Sequence, residues 1–204
     1  MSNDTSTVAV VFRDLSDAFD ELSTQKLSPQ KVWTTFSNFL ELSYRLTKVM
    51  YEEYYRRTGG KWEANNFNGW DKVSEFFKRL RTIDTHEHPV LIQVYERRFF
   101  GIAEDSTDTL VLEWTWSLGD PHSNLPPEGM RLTVANPNTG QAHKPIPRQT
   151  EYEFYLYPLS EEVDAELLEL GDRNIHRLGE KYFDTLKKYY RYYQEQQLDI
   201  NDDT

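Results

Sequence analysis

The chain contains no cysteine among its 204 residues. This absence excludes disulfide bonds, zinc sites built on thiolates and cysteine nucleophiles. Any catalysis therefore has to use histidine, carboxylate, arginine, lysine, serine or tyrosine side chains.

Long apolar runs are missing too, since no stretch approaches the roughly 20 apolar residues that span a bilayer. The first residues, MSNDTSTVAVVF, lack the basic-then-apolar order of a secretory signal. We therefore expect a soluble, cytoplasmic protein with no membrane partner.

Several common catalytic signatures are also absent. The pair Gly59-Gly60 lacks the lysine and hydroxyl residue of a phosphate-binding loop, and no nucleophile-elbow sequence indicates a serine hydrolase. The run His86, Glu87, His88 offers metal-ligand atoms, but the other histidines are scattered along the chain at His122, His143 and His176. We expect neither a metal nor a cofactor.

Aromatic residues, in contrast, are abundant, with 13 tyrosines and 5 tryptophans. Such a composition indicates a folded protein with an aromatic core and argues against intrinsic disorder. We find no internal repeat and no low-complexity linker, so the sequence favours a single domain over 8–198, with flexible tails at 1–7 and 199–204.

The hydrophobic pattern changes from helical spacing to strand alternation and back. Alternation between about 90 and 157 predicts four sequential strands, an antiparallel β-meander. The spacing elsewhere predicts helices over about 8–24, 29–58, 67–87 and 160–197. The expected fold class is α+β: a mainly helical bundle with the meander inserted before the last long helix, which Gly171 and Gly179 are expected to bend or break.

The helix over 29–58 would be about 45 Å long, longer than a small core requires. A helix of this length often packs against a partner helix or a second subunit. Its tyrosines are candidates for such an interface, or simply half-buried surface: Tyr44, Tyr51, Tyr54 and Tyr55.

Charge is unevenly distributed in this acidic chain, whose net charge is −11. Residues 26–82 carry eleven basic and six acidic side chains, a net charge of +5, whereas residues 83–204 carry −12. The overall acidity argues against nonspecific nucleic-acid binding, but the basic segment leads directly to Arg81.

The best chemical lead is the stretch LRTIDTHEHPV at the end of the third predicted helix. Guanidinium matches phosphate geometry, and imidazole titrates near neutral pH, so Arg81 and His86 suit phosphate chemistry. The expected supporting residues are Asp84, Thr82, His88, Glu87 and Arg79. Pro89 requires the helix to end nearby.

An arginine and a histidine separated by four residues near a helix end resemble the RxxxxH motif of the HEPN superfamily. That resemblance implies a helical bundle, a homodimer, and a metal-independent ribonuclease of the kind found in toxin–antitoxin, CRISPR and phage-defence systems. It further implies that Arg81 binds the scissile phosphate of RNA and that His86 acts as acid or base.

The residues leave a second interpretation open, in which the chain is a noncatalytic interaction protein of the same fold. Arg81 would then be held in a salt bridge, for example by Asp84, and His86 would only cap the helix end. The acidic C-terminal part would bind a basic protein partner.

Overall fold

The computed structural model describes residues 6–24, 27–86, 90–101, 109–118, 134–135, 142–143, 145–157 and 160–202. Within these ranges the chain forms five α-helices, one short 3-10 helix and five strands. The fold is therefore α+β and mostly helical, as the pattern of hydrophobic residues predicts. No helix in the described ranges has both the length and the apolar character needed to cross a membrane.

The first two helices are α1 (Thr7–Ser23), which begins at a serine cap, and α2 (Pro29–Thr58), which begins and ends at clear sequence signals. Ser6 caps α1 by accepting a hydrogen bond from the backbone N–H of Val8 at 3.2 Å. The helix thus already includes Thr7, which the sequence assigned to a flexible tail. At the other end, α2 has the predicted bounds and stops at Gly59, whose φ of 68° is left-handed.

Helix α3 (Lys72–His86) begins later than the predicted position 67. The Asp71 side chain accepts hydrogen bonds from the backbone N–H and the hydroxyl of Ser74, at 2.9 and 2.8 Å, and so caps the helix. Trp70 therefore precedes the helix. Its ring packs at 4.6 Å from the ring of Tyr189, which explains its place in the apolar pattern.

The C-terminal part forms two helices and not the single helix predicted over 160–197, and the break lies at Gly171, one of the two glycines expected to bend or break it. Helix α4 (Glu161–Leu170) stops at Gly171, whose φ is 66°, and α5 (Ile175–Asp202) follows after a short link. Gly179 lies inside α5 without ending it. Because α5 continues to Asp202, most of the tail predicted at 199–204 is helical.

The main sheet has the strand order β2-β1-β5 and is antiparallel throughout. It contains β1 (Ile92–Gly101), β2 (Thr109–Leu118) and β5 (Ile146–Leu156). The antiparallel prediction is confirmed, but the sequential order of a meander is wrong, because the last strand pairs with the first. Of the three strands that follow β2, only β5 is long enough to pair along the whole of β1.

A separate ribbon pairs β3 (Val134–Ala135) with β4 (Ala142–His143). These two-residue strands are too short to extend the main sheet along β2. Within the predicted meander, the alternating pattern includes Met130 and Leu132, and the residues 136–140 are typical of a turn, but these positions lie outside the described residues.

The core is one cluster of buried hydrophobic side chains that joins the helices to the inner face of the sheet. Phe39 of α2 lies at its centre and contacts Phe77 of α3 and both Tyr182 and Phe183 of α5. One carboxylate is buried with the sheet: Glu96 is 1% exposed. The core therefore fixes α2, α3 and α5 against one another, and this positions the Arg81 side of α3.

Candidate functional site around Arg81

Arg81 lies on α3 where that helix crosses α2, and its side chain is 18% exposed. The guanidinium carbon lies 3.8 Å from the ring centroid of Tyr44 on α2, a cation–π contact. Its Nε and Nη2 atoms donate to a single oxygen of Glu41, at 3.3 and 3.2 Å. Tyr44 therefore fixes the plane of the guanidinium, and Glu41 neutralises part of its charge.

His86 is the last residue of α3, and its side chain lies outside the described part of the structure. The helix is continuous between positions 81 and 86, so the backbone turns through about 500° over this step. The two positions are consequently about 140° apart around the helix axis. The helix does not end between them, so the five-residue spacing does not place both positions on one helix face.

Asp84 and Thr82, both predicted to support the site, have local structural contacts. Asp84 accepts a hydrogen bond from the hydroxyl of Ser37 on α2 and another from the backbone N–H of Val90 at 3.2 Å. It thereby joins the end of α3 to α2 and to the start of the sheet, while Arg81 pairs with Glu41 instead. Thr82 donates to the carbonyl oxygen of Lys78 at 3.2 Å.

Arg79, the other predicted supporting cation, faces α4. Its two terminal nitrogens donate to Glu162 and Glu166, each at 2.7 Å. Nearby, Lys72 pairs with Glu169 of the same acidic helix. Arg79 therefore clamps α3 to α4, whereas Arg81 faces α2. The remaining predicted site residues, Glu87 and His88, lie outside the described residues.

Arg81 and Tyr44 stand between two openings in the surface. The first is a cavity of about 320 Å³ between α2, α3 and α5, which we call the aromatic cavity. The second is a more open groove of about 780 Å³ along α2, which we call the outer groove. Beyond Arg81 and Tyr44, the charged residues that line the outer groove are Glu41, Arg45, Lys48 and Glu52.

The tyrosine hydroxyls deep in the aromatic cavity are uncharged. Burial raises the pKa of Tyr189 to about 12 and also raises the pKa of Tyr182, so both hydroxyls stay protonated at neutral pH. The cations Lys78 and Arg81 and the carboxylate Glu75 supply the charge in its lining. The arrangement can hold an anion at Arg81 with an uncharged group behind it.

Three residues of this arrangement are not apparent as site residues in the sequence: Glu41, Tyr44 and Trp70. Tyr44 was expected only as a surface or interface tyrosine of α2, and the helical spacing of apolar residues from Trp70 to Ile83 indicates only a buried position for Trp70. No spacing rule connects Glu41 or Tyr44 to Arg81, because they precede it by 40 and 37 residues. Among the described residues, no group of three or more histidine, aspartate or glutamate side chains could hold a metal ion.

Comparison of the chain with protein families, with curated proteins and with solved structures finds no match.

Proposed function

We propose that the protein is a metal-independent ribonuclease that acts as a homodimer, with Arg81 binding the scissile phosphate and His86 serving as acid or base. The observation that supports this proposal best is the Tyr44-stacked guanidinium between the aromatic cavity and the outer groove. A fixed, flat cation on the chain's only net-basic segment is suited to a phosphodiester.

The ion pair with Glu41 is weak enough for a phosphate to replace it. Both donors of Arg81 share one carboxylate oxygen, and the Glu41 side chain is 55% exposed. Exposed ion pairs of this kind contribute about 1 kcal/mol or less. A phosphate offers two oxygens to the guanidinium fork and so forms the stronger, bidentate contact.

A dimer supplies the second histidine that the chemistry requires. One neutral imidazole removes the proton of a ribose 2′-hydroxyl, whose oxygen then attacks the adjacent phosphorus, and an imidazolium donates a proton to the departing 5′-oxygen. The products are a 2′,3′-cyclic phosphate and a 5′-hydroxyl. Because positions 81 and 86 are about 140° apart in one chain, Arg81 of one protomer would act with His86 of its partner.

The first test is cleavage of a mixed RNA pool in EDTA by the wild type, Arg81→Ala and His86→Ala. We expect EDTA-resistant cutting that leaves cyclic phosphates and falls at least 100-fold in either variant, in line with the usual size of acid–base and phosphate-binding contributions. The control variant is Arg13→Ala, whose side chain on α1 is 67% exposed and lines neither the aromatic cavity nor the outer groove. Full activity in His86→Ala would refute the assignment.

The Arg81–Glu41 ion pair also favours a second candidate, the noncatalytic interaction protein, because in the chain alone Arg81 already has a partner. Helix α4 strengthens this alternative, since it has five acidic and no basic side chains. Glu41→Gln separates the two functions. For the ribonuclease, the freed guanidinium should bind RNA more tightly by a few fold; for the interaction protein, neither the wild type nor this variant should bind or cut RNA.

A further inference from the structure

The aromatic cavity has the size and lining of a small-ligand site. Its volume of about 320 Å³ is at the lower end of the range for such sites, which begins near about 300 Å³. Tyr44 and Trp70 provide the accessible aromatic part of its wall. The buried rings of Phe77, Tyr182 and Tyr189 lie behind them, where Phe77 packs on Tyr182 at 4.5 Å and Tyr189 packs on Trp70 at 4.6 Å.

The lining matches a flat ring that carries an anionic group. The accessible rings of Trp70 and Tyr44 can stack on a planar ring, a contact that each of the four RNA bases can make. Polar side chains in the lining can form hydrogen bonds with the edge of such a ring: Asn65, Thr47, Ser74, Thr82 and Glu75. The cations Lys78 and Arg81 also line the cavity, so the negatively charged part of the ligand belongs on their side.

The place of Arg81 relates the cavity to a nucleic-acid backbone. Arg81 and Tyr44 line both the aromatic cavity and the outer groove, so a group bound to the guanidinium is next to both spaces. Arg45 and Lys48 line the outer groove beyond them. One nucleotide of a single strand can therefore place its base in the cavity and its phosphate on Arg81, while the rest of the strand continues along the outer groove.

We propose that the aromatic cavity is a base-binding subsite, which takes one unpaired nucleobase of RNA while the adjoining phosphate lies on Arg81. This proposal rests on the proposed function in taking RNA as the substrate, and it adds that the enzyme selects its cutting position by the base in the cavity. Cleavage should therefore favour single-stranded regions, because a base in a duplex cannot leave the stack without an energetic penalty.

Isothermal titration calorimetry with the four nucleoside 5′-monophosphates, the four nucleosides and inorganic phosphate tests the subsite. We expect at least one nucleotide to bind tenfold or more tightly than both its nucleoside and inorganic phosphate. Arg81→Ala should remove the difference between nucleotide and nucleoside. Equal affinity for the nucleotide and for phosphate alone, or no saturable nucleotide binding, would overturn the proposal.

A variant that fills the cavity provides the second measurement. Thr47 lines the cavity from α2, so Thr47→Trp should weaken nucleotide binding at least tenfold. The matched control is Thr34→Trp, an exposed position on the same helix that does not line the cavity, and it should bind like the wild type. Circular dichroism establishes that both variants fold. Undiminished nucleotide binding by a folded Thr47→Trp protein would contradict the proposed location.

Failure of the subsite and failure of the ribonuclease give different results. If the wild type cuts RNA but binds no nucleotide and shows no base preference at its cutting positions, the subsite is refuted and the ribonuclease stands. If it binds nucleotides in a manner that Thr47→Trp abolishes but cuts no RNA, the base site is supported and the ribonuclease is refuted.

Discussion

At the scale of single residues, burial controls the charge of His176. Its ring lies in the first turn of α5, 5.9 Å from the ring of Phe154 on the sheet, and its Nε2 atom finds no hydrogen-bond partner among the described residues. Burial lowers the pKa of His176 below its usual 6.5, although the carboxylate of Glu153 opposes the shift. The folded protein therefore holds this imidazole neutral.

We predict that this histidine makes the protein less stable in mild acid. Below about pH 6.5 the unfolded chain takes up a proton at His176 that the folded chain resists, so the free energy of unfolding should fall by up to about 1 kcal/mol between pH 7.5 and 5.5. Urea unfolding of the wild type and of His176→Gln at both pH values measures this effect. The variant, whatever its absolute stability, should lose part of the pH dependence; an unchanged dependence would contradict the prediction.

The sequence alone indicates which face of α3 carries its two arginines, but not which residues they contact. The helical spacing of Val73, Phe76, Leu80 and Ile83 puts Arg79 and Arg81 at the margins of the apolar face of α3, and both side chains are only partly exposed there. Their partners could not be inferred, because Glu41 is forty residues away and the glutamates of α4 are more than eighty residues away. Which helix faces each cation depends on packing between elements that are distant in sequence.

At the scale of elements, two glycines of the C-terminal helices have opposite roles. Gly171 ends α4 with a φ of 66°, and a Cβ added there would meet no atom within 4 Å. Gly179 lies inside α5, where an added Cβ would come 3.4 Å from Leu22 of α1, an ordinary van der Waals contact. The first position needs the left-handed backbone conformation, whereas the second has room for a methyl group.

Alanine should therefore change stability in opposite directions at these positions. Gly171→Ala should cost about 1 kcal/mol because a side chain makes the left-handed conformation unfavourable. Gly179→Ala should add up to about 1 kcal/mol because alanine has the higher helix propensity. Denaturant unfolding of both variants compares the free energies of unfolding, and a change of the same sign in both would refute this account.

Whether an element could be predicted depended on the signals at its ends. Helix α2 was predicted with its observed bounds because Ser28-Pro29 and Gly59-Gly60 mark both termini. The last helix was expected to bend or break at Gly171 and Gly179, but the sequence did not show that only Gly171 ends a helix. The order of the strands in the sheet could not be predicted from the local pattern of residues either, because the pairing of β1 with β5 joins residues more than forty positions apart.

At the scale of the whole molecule, α5 closes the core of the first three helices with aromatic contacts. The ring of Phe12 stacks on Tyr190 with centroids 4.1 Å apart, and the ring of Phe19 stacks on Phe183 at 4.4 Å. The Phe183 ring also contacts Phe39 of α2. A single residue of α5 therefore contacts both α1 and α2.

Truncation of this residue should destabilise the whole fold. We expect Phe183→Ala, at a position only 6% exposed, to lower the free energy of unfolding by about 3–5 kcal/mol because it leaves a cavity between three helices. Tyr55→Ala provides the control, since that side chain is 55% exposed and should change stability by no more than about 0.5 kcal/mol. Thermal unfolding of both variants measures the difference, and comparable small losses would show that α5 is dispensable to the core.

The position of α5 in the chain has a consequence for biosynthesis. A ribosome makes α1, α2 and α3 well before the helix that covers their aromatic side chains, and it makes β1 before the strand that completes the sheet. Until α5 has been made, the phenylalanines that later pack against it face water or other molecules. Newly made chains should therefore depend on chaperones until residues beyond 190 have left the exit tunnel.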